Sequence, residues 1–198
     1  MMWSILSSGP YIESLNEYFR PKVDSTGVHV FHLPLAQGAM PLIYLEDLGS
    51  YALWVLENPS QSNGMELEIA TAHASGTDIA TAFRTTTGKP ARYEAAHLAT
   101  FMREFWSMLP SGQDTKIASS YASDDDTLMS YGQNFTAWWS IYQASAGNKG
   151  IITRDYGLLD RILPGRVKSV EEWMRKTDYS GGFKPLLKDW ADRRLERI

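Results

Sequence analysis

The spacing of apolar positions changes along the chain, and each change marks an element. Trp3 to Ser7 is a short apolar run closed by Gly9-Pro10, the pattern of a buried strand with a turn after it. Tyr11 to Phe19 then predicts a helix that Pro21 stops, and Val28 to Leu33 a second strand. Pro41 to Tyr44 is a short extended segment. Leu45, Leu48, Ala52, Val55 and Leu56 follow it at helical spacing until Asn58-Pro59. Met65 to Ala70 alternates as a strand does, with Gly64 at the turn before it. Ser75-Gly-Thr-Asp78 reads as a helix N-terminus, with Ile79, Phe83 and Thr86 behind it and Gly88-Lys-Pro90 as the stop. Ala91 to His97 predicts one more strand, and Ala99 to Met108 a short helix.

Beyond that point the pattern is irregular and then helical. Ser111 to Asp126, rich in Ser, Asp and Gly, predicts a surface loop. Phe135, Trp138, Trp139 and Tyr142 form an aromatic stripe on a helix ended by Gly147 and Gly150, and their spacing favours core packing over ligand stacking. Ser169-Val-Glu-Glu172 is a capping box opening another helix, and Lys184 to Arg197 predicts a last one around Leu187, Trp190 and Leu195. Strands alternating with helices, then helices alone, predict an α/β layer with a helical lobe packed on it. The division falls at residue 72, with 1–72 holding the sheet side and 73–198 the mainly helical lobe. One topological question stands out. A buried strand in a parallel sheet needs neighbours at its edges and cover on both faces, and almost nothing precedes Trp3 to supply them.

Composition narrows the function. A chain of 198 residues with 43% hydrophobic residues, seven Trp and ten Tyr has enough apolar surface for a folded interior. A net charge of −4 offers no basic stripe for a phosphate backbone, which argues against direct nucleic-acid binding. With no cysteine there are no disulfides, thiolate metal sites or thiol nucleophiles. No stretch approaches the roughly 20 apolar residues of a membrane span, and the first residues lack the charged start of a signal peptide, so cytoplasmic or nuclear residence is the default expectation.

Motifs with a known mechanism are missing. The fifteen glycines form no G-x-G-x-x-G and no phosphate loop, and there is no G-x-S-x-G elbow or H-E-x-x-H helix. Tyr18 and Lys22 have the spacing at which a lysine lowers a tyrosine pKa, but Pro21 breaks the helical turn between them. His29 and His32 lie three apart on a predicted strand and face opposite ways. His73 and His97 have no ligand partner nearby in sequence. Asp124-Asp125-Asp126 lacks the alternating ligands of a calcium loop. Arg20, Arg84 and Arg92 are isolated. No catalytic or metal-binding residue is assigned from these patterns.

Four blocks nevertheless carry a resemblance. Trp3-Ser-Ile-Leu-Ser-Ser-Gly-Pro-Tyr-Ile-Glu13, Pro41-Leu-Ile-Tyr-Leu-Glu-Asp-Leu-Gly49, Glu66-Leu-Glu-Ile-Ala-Thr71 and the run from Asp155 to Met174 resemble fungal NmrA-like proteins, atypical members of the short-chain dehydrogenase/reductase superfamily. In that family a segment like Ile5 to Glu13 follows a first half that carries a Gly-rich loop. The resemblance therefore implies the C-terminal portion of a Rossmann-like NAD(P)-binding fold with a mostly helical substrate-side lobe, truncated at its N-terminus. It implies NADP or NAD as cofactor, with Ser8, Gly9, Pro10 and Tyr11 bordering the nicotinamide. Asp47 matches the acidic residue that opens the helix after the short extended segment, where helix N-capping suffices to explain it. Without the Gly-rich loop, tight cofactor binding by this chain and catalysis by this chain alone are not expected. The full-length form would be reductase-like or redox-sensing. The alternative is a non-catalytic regulator that binds a transcription factor through its helical lobe, as the founding member does in nitrogen metabolite repression. Apolar surface around Trp3 to Leu6 is expected to be exposed and to promote self-association.

Overall fold

In the computed structural model the described residues are 2–107, 112–117 and 125–186. The chain opens with β1 (Ser4–Ser8), a 3-10 turn (Ile12–Asn16), β2 (Lys22–Val23), β3 (His29–Leu33) and β4 (Ala39–Leu42). It continues through α1 (Leu45–Glu57), α2 (Pro59–Ser62), β5 (Met65–Ile69), β6 (Ala72–Ser75), α3 (Gly76–Thr87) and β7 (Ala91–Ala95). Helices then dominate: α4 (Leu98–Ser107), α5 (Tyr131–Gln143), α6 (Tyr156–Ile162) and α7 (Val170–Lys176).

β1 finds its partner downstream. It runs parallel to β5 from Ser4 opposite Met65 to Ser8 opposite Ile69. β3 lies between β2, antiparallel, and β7, parallel, while β4 and β6 pair antiparallel. A parallel bridge between Tyr11 and Ile43 joins the segment after β1 to the segment after β4.

Two apolar clusters hold these pieces together. The larger runs from Ile12, Phe31, Met40 and Phe83 to Trp139 and Trp173. The smaller lies under α1 and contains Ile43, Tyr51, Leu67, Ile69 and Leu159. Fully burying one such side chain contributes roughly 1.5–3 kcal/mol, so these clusters supply most of the driving force. The aromatic stripe packs in the core as its spacing predicts except at Trp138. Trp139 and Tyr142 are buried, with Trp139 edge-on to Phe19 and Phe101, and Trp138 is left at the surface.

Helix boundaries follow local chemistry. Ser75 Oγ accepts from the Asp78 N–H at 3.1 Å, Asp78 accepts from the Ser75 N–H at 2.9 Å, and Gly88 closes α3 in left-handed geometry. Ser169 opens α7 by accepting from the Glu172 N–H at 3.0 Å. The helix expected over Tyr11 to Phe19 is instead a single 3-10 turn. Glu17 leaves helical geometry, the Phe19 N–H bonds back to Ser14 O at 2.8 Å, and the Phe19 ring is drawn into the core. All but the first three residues of the last helix expected over Lys184 to Arg197 lie outside the described residues, as does half of the loop expected over Ser111 to Asp126.

Candidate functional site

In open α/β sheets, ligands bind outside the carboxyl ends of parallel strands. Here those ends are Ser8 and Ile69, which face each other across the β1–β5 pair. Ser8 is exposed, Gly9 and Pro10 are buried, and Tyr11 is 38% exposed. The turn is stitched to β4's extension: the Ile43 N–H donates to Pro10 O at 3.0 Å and the Ile12 N–H to Ile43 O at 2.9 Å. A Cβ on Gly9 would stand 1.8 Å from Pro41 O, so glycine is required there by close backbone approach. Ser8 and Tyr11 are thus the two residues of the turn whose side chains are open to a ligand.

Carboxylates crowd the neighbouring helix end. α1 has Tyr44 at its N-cap, which cannot supply a side-chain cap. Glu13 does so from across the turn, its Oε1 accepting from the Leu45 N–H at 3.2 Å. Burial raises the Glu13 pKa, and backbone N–H donors and the nearby Trp173 indole partly offset the effect. Neither Glu13 Oε2 nor Trp173 Nε1 reaches hydrogen-bond geometry. Asp47 is not the N-cap expected from the sequence. It lies in the first turn, buried, with Oδ2 accepting from the Val167 N–H at 2.9 Å, and burial raises its pKa too. Glu46 pairs with Lys176 at 3.5 Å, whose ammonium stands 5.0 Å above the Tyr44 ring.

The C-terminal block closes over the same region. Arg166, only 5% exposed, donates through Nη1 to Thr71 O at 2.8 Å and Val167 O at 3.1 Å, and through Nε to Asp160 at 2.8 Å. Thr71 in turn accepts at Oγ1 from the Tyr44 N–H at 2.9 Å. His73 Nδ1 and the Tyr156 hydroxyl are 2.7 Å apart, and the guanidinium of Arg166 covers the Tyr156 ring at 5.2 Å. Burial pushes the Tyr156 phenol up to about 12 and, with Arg154 nearby, lowers the His73 pKa. Burial and the Glu46 carboxylate likewise raise the Tyr44 pKa. Most other polar groups of this region brace it, while Glu13 Oε2, His73 Nε2 and Trp173 Nε1 are buried without a hydrogen-bond partner.

The remaining candidates disperse. Lys22 stands on β2, pairing with Glu104 at 3.6 Å rather than sitting a helical turn from Tyr18. Arg84 donates to Ala91 O, and Arg92 pairs with Asp24 and Glu94. Among the described residues no group of His, Asp and Glu could hold a metal ion, and no helix is long and apolar enough to cross a membrane. A cleft of about 340 Å³ opens beyond the 3-10 turn, lined by Tyr18, Arg20, His32, Phe101 and Phe105 among others. The sequence reading missed Glu13 as a cap and Arg166 as a brace. The signal for the first was Tyr44, a residue that cannot cap, at the start of a clear helix.

Residues 2–146 match the model of the NmrA-like family. The chain belongs to the NmrA-like family. No curated protein matches it. Among solved structures, this NmrA-like chain is similar to NmrA, a negative transcriptional regulator, in complex with NADP, at a TM-score of 0.58 and 15% identity. A second NmrA structure, in complex with NAD, gives the same values, and both matches cover 89% of this chain and 52% of the other. A nucleoside-diphosphate-sugar epimerase from Staphylococcus aureus gives a TM-score of 0.60 at 12% identity, covering 88% of this chain and 52% of that one. At these identities the likeness fixes the fold, which is Rossmann-like. The NmrA-like chain spans about half the length of the solved structures it matches.

Proposed function

We propose that this chain is the nicotinamide-side, C-terminal portion of an NmrA-like dinucleotide-binding protein, and that it acts as a redox-responsive regulator of a protein partner rather than as a reductase. One observation carries the reading. The Ser8–Tyr11 turn leaves a hydroxyl and a ring open at the carboxyl end of the strands, while the phenols of Tyr44 and Tyr156 are kept protonated by burial. A general acid or base for hydride transfer works best with a pKa near the operating pH, and these groups are moved away from it.

The residues present fit a nicotinamide better than a pyrophosphate. Ser8 and Tyr11 would hold the nicotinamide ring and its amide. Glu13, Glu46 and Asp47 occupy the α1 N-terminus, the place where a phosphate would otherwise find free N–H groups. The cofactor, NADP or NAD, would supply the nicotinamide whose oxidation state is sensed, and binding by this chain alone would be weak. The partner is a transcription regulator, met by the helical part of the chain in the cytoplasm or nucleus. Trp138 and Ile141 on α5, each exposed, offer it an apolar contact.

Titration with NADPH, followed by energy transfer from tryptophan, tests the cofactor half of the reading. Weak saturable binding, lost in Tyr11→Ala, without NADPH consumption in the presence of carbonyl compounds, is expected. Turnover would overturn the regulatory reading, and the absence of any binding by folded protein would overturn the sensing role.

A further inference from the structure

The cleft beyond the 3-10 turn is separate from the turn after β1, since none of Ser8, Gly9, Pro10 and Tyr11 lines it. Its walls come from the stretch between the 3-10 turn and β2, from β3 and from α4. At about 340 Å³ it lies at the small end of the range for ligand pockets, the size for a one- or two-ring molecule.

One wall is aromatic and fixed. Phe101 and Phe105, one helical turn apart on α4, hold their ring planes 12° apart with centroids at 6.3 Å, and Tyr18 meets Phe105 edge-on at 5.7 Å. The two helix rings are braced by other aromatics, Phe101 by Trp139 at 5.2 Å, and Phe105 by Trp106 at 5.5 Å and Phe135 at 5.8 Å. Rings held in this way offer a preformed face to another flat ring. The charges of the cleft are only partly committed. Glu104 pairs with Lys22 at 3.6 Å, and Glu17 accepts from the Leu186 N–H at 2.9 Å. Arg20 is exposed, with its guanidinium 5.5 Å from the centre of the Phe183 ring and no carboxylate in ion-pair range among the described residues. His32, exposed on β3, offers an imidazole N–H in either charge state. A cation without a counter-ion and a further donor therefore stand beside an aromatic wall.

We propose that this cleft binds a small planar aromatic carboxylate, its ring against Phe101, Phe105 and Tyr18 and its carboxylate at Arg20 and His32. The planar fork of an arginine matches a carboxylate with two parallel hydrogen bonds. Glu17 and Glu104 in the same lining favour a single negative charge over the several of a nucleotide. The site shares no residue with the nicotinamide turn, so it stands whether or not the chain binds a dinucleotide.

Isothermal titration of the full chain with 2-naphthoate, and with its neutral counterpart 2-naphthylmethanol, tests this. Saturable one-to-one binding of the acid is expected, with the alcohol about tenfold weaker through loss of the charge-assisted contact. Arg20→Gln should bring the acid down to the level of the alcohol and leave the alcohol unchanged. Arg103→Gln, at an exposed arginine of α4 outside the cleft, should change neither. His32→Ala should weaken the acid alone. Tyr11→Ala, which removes the nicotinamide contact, should leave both ligands unchanged, so that failure of the sensing reading and failure of this one are told apart. Arg20 faces solvent, and circular dichroism of its variant should match the wild type; if that variant fails to fold, His32→Ala decides. Folded wild type that binds no naphthoate, binds acid and alcohol equally, or keeps its affinity for the acid in both cleft variants would overturn the proposal.

Discussion

Glu13 gives one oxygen to the first free N–H of α1 and leaves the other without a hydrogen bond among buried atoms. The arrangement favours the protonated acid, so the folded-state pKa is raised from 4.5, and that of Asp47 from 3.8, by burial in each case. A raised carboxyl pKa contributes stability below its unfolded value and loses it as pH climbs through the folded value. Urea denaturation at a series of pH values should therefore show stability falling from mildly acidic towards neutral pH. Glu13→Gln, which keeps a carbonyl oxygen for Leu45 and carries no charge, should flatten part of that slope. A slope unchanged by the substitution would mean that Glu13 is not a source of it. His73 acts in the opposite sense over a neighbouring range. Its lowered pKa means that stability is lost as pH falls below about 6.5. These effects turn on single side chains, and the sequence concealed them for one reason: Glu13 and Leu45, like Asp47 and Val167, are far apart in the chain and meet only after folding.

At the scale of elements, local chemistry was readable and tertiary chemistry was not. Ser75 with Asp78 and Ser169 with Glu172 announce α3 and α7 because a cap needs only neighbours in sequence. β6 was hidden. Ala72-His-Ala-Ser75 has weak strand propensity and is extended because it pairs with β4. The 3-10 turn after β1 was misjudged for a related reason, since Phe19 leaves helical geometry to join the core. Of the turn Ser8 to Tyr11, the sequence shows that a bend follows the strand, but not that Gly9 is pinned against Pro41 while Ser8 and Tyr11 stay open. The brace at Arg166 belongs to this scale, because it ties the end of β5's strand segment to the block before α7. Arg166→Met should cost about 3 kcal/mol, through loss of hydrogen bonds to two buried carbonyls. Arg166→Lys should recover little of that, since an ammonium cannot reproduce the forked donor geometry. Asp160→Asn, at the exposed end of the same pair, should cost less than about 1 kcal/mol. Chemical denaturation of the three variants checks the order.

For the whole molecule, the family match and the folding unit have different limits. The match ends at residue 146, yet the larger core includes Val167, Val170, Trp173, Met174 and Tyr179. Tyr51 also donates to Leu159 O at 3.2 Å, and Thr71 O accepts from Arg166. A chain ended at residue 146 is expected to lose the near-ultraviolet circular dichroism of a packed aromatic core. Retention of that signal would show the later block to be an accessory rather than part of the fold.

The hydrogen bond from Val167 to Asp47 spans 120 residues of sequence. During synthesis at roughly 5–20 residues per second, the segment that covers Asp47 is made on the order of ten seconds after Asp47 itself. For that interval the first strands exist without their closing piece, with an unmatched acid and bare apolar faces presented to the cell. The length of that exposure is set by translation speed, so synonymous codons between residues 47 and 167 would change how long it lasts.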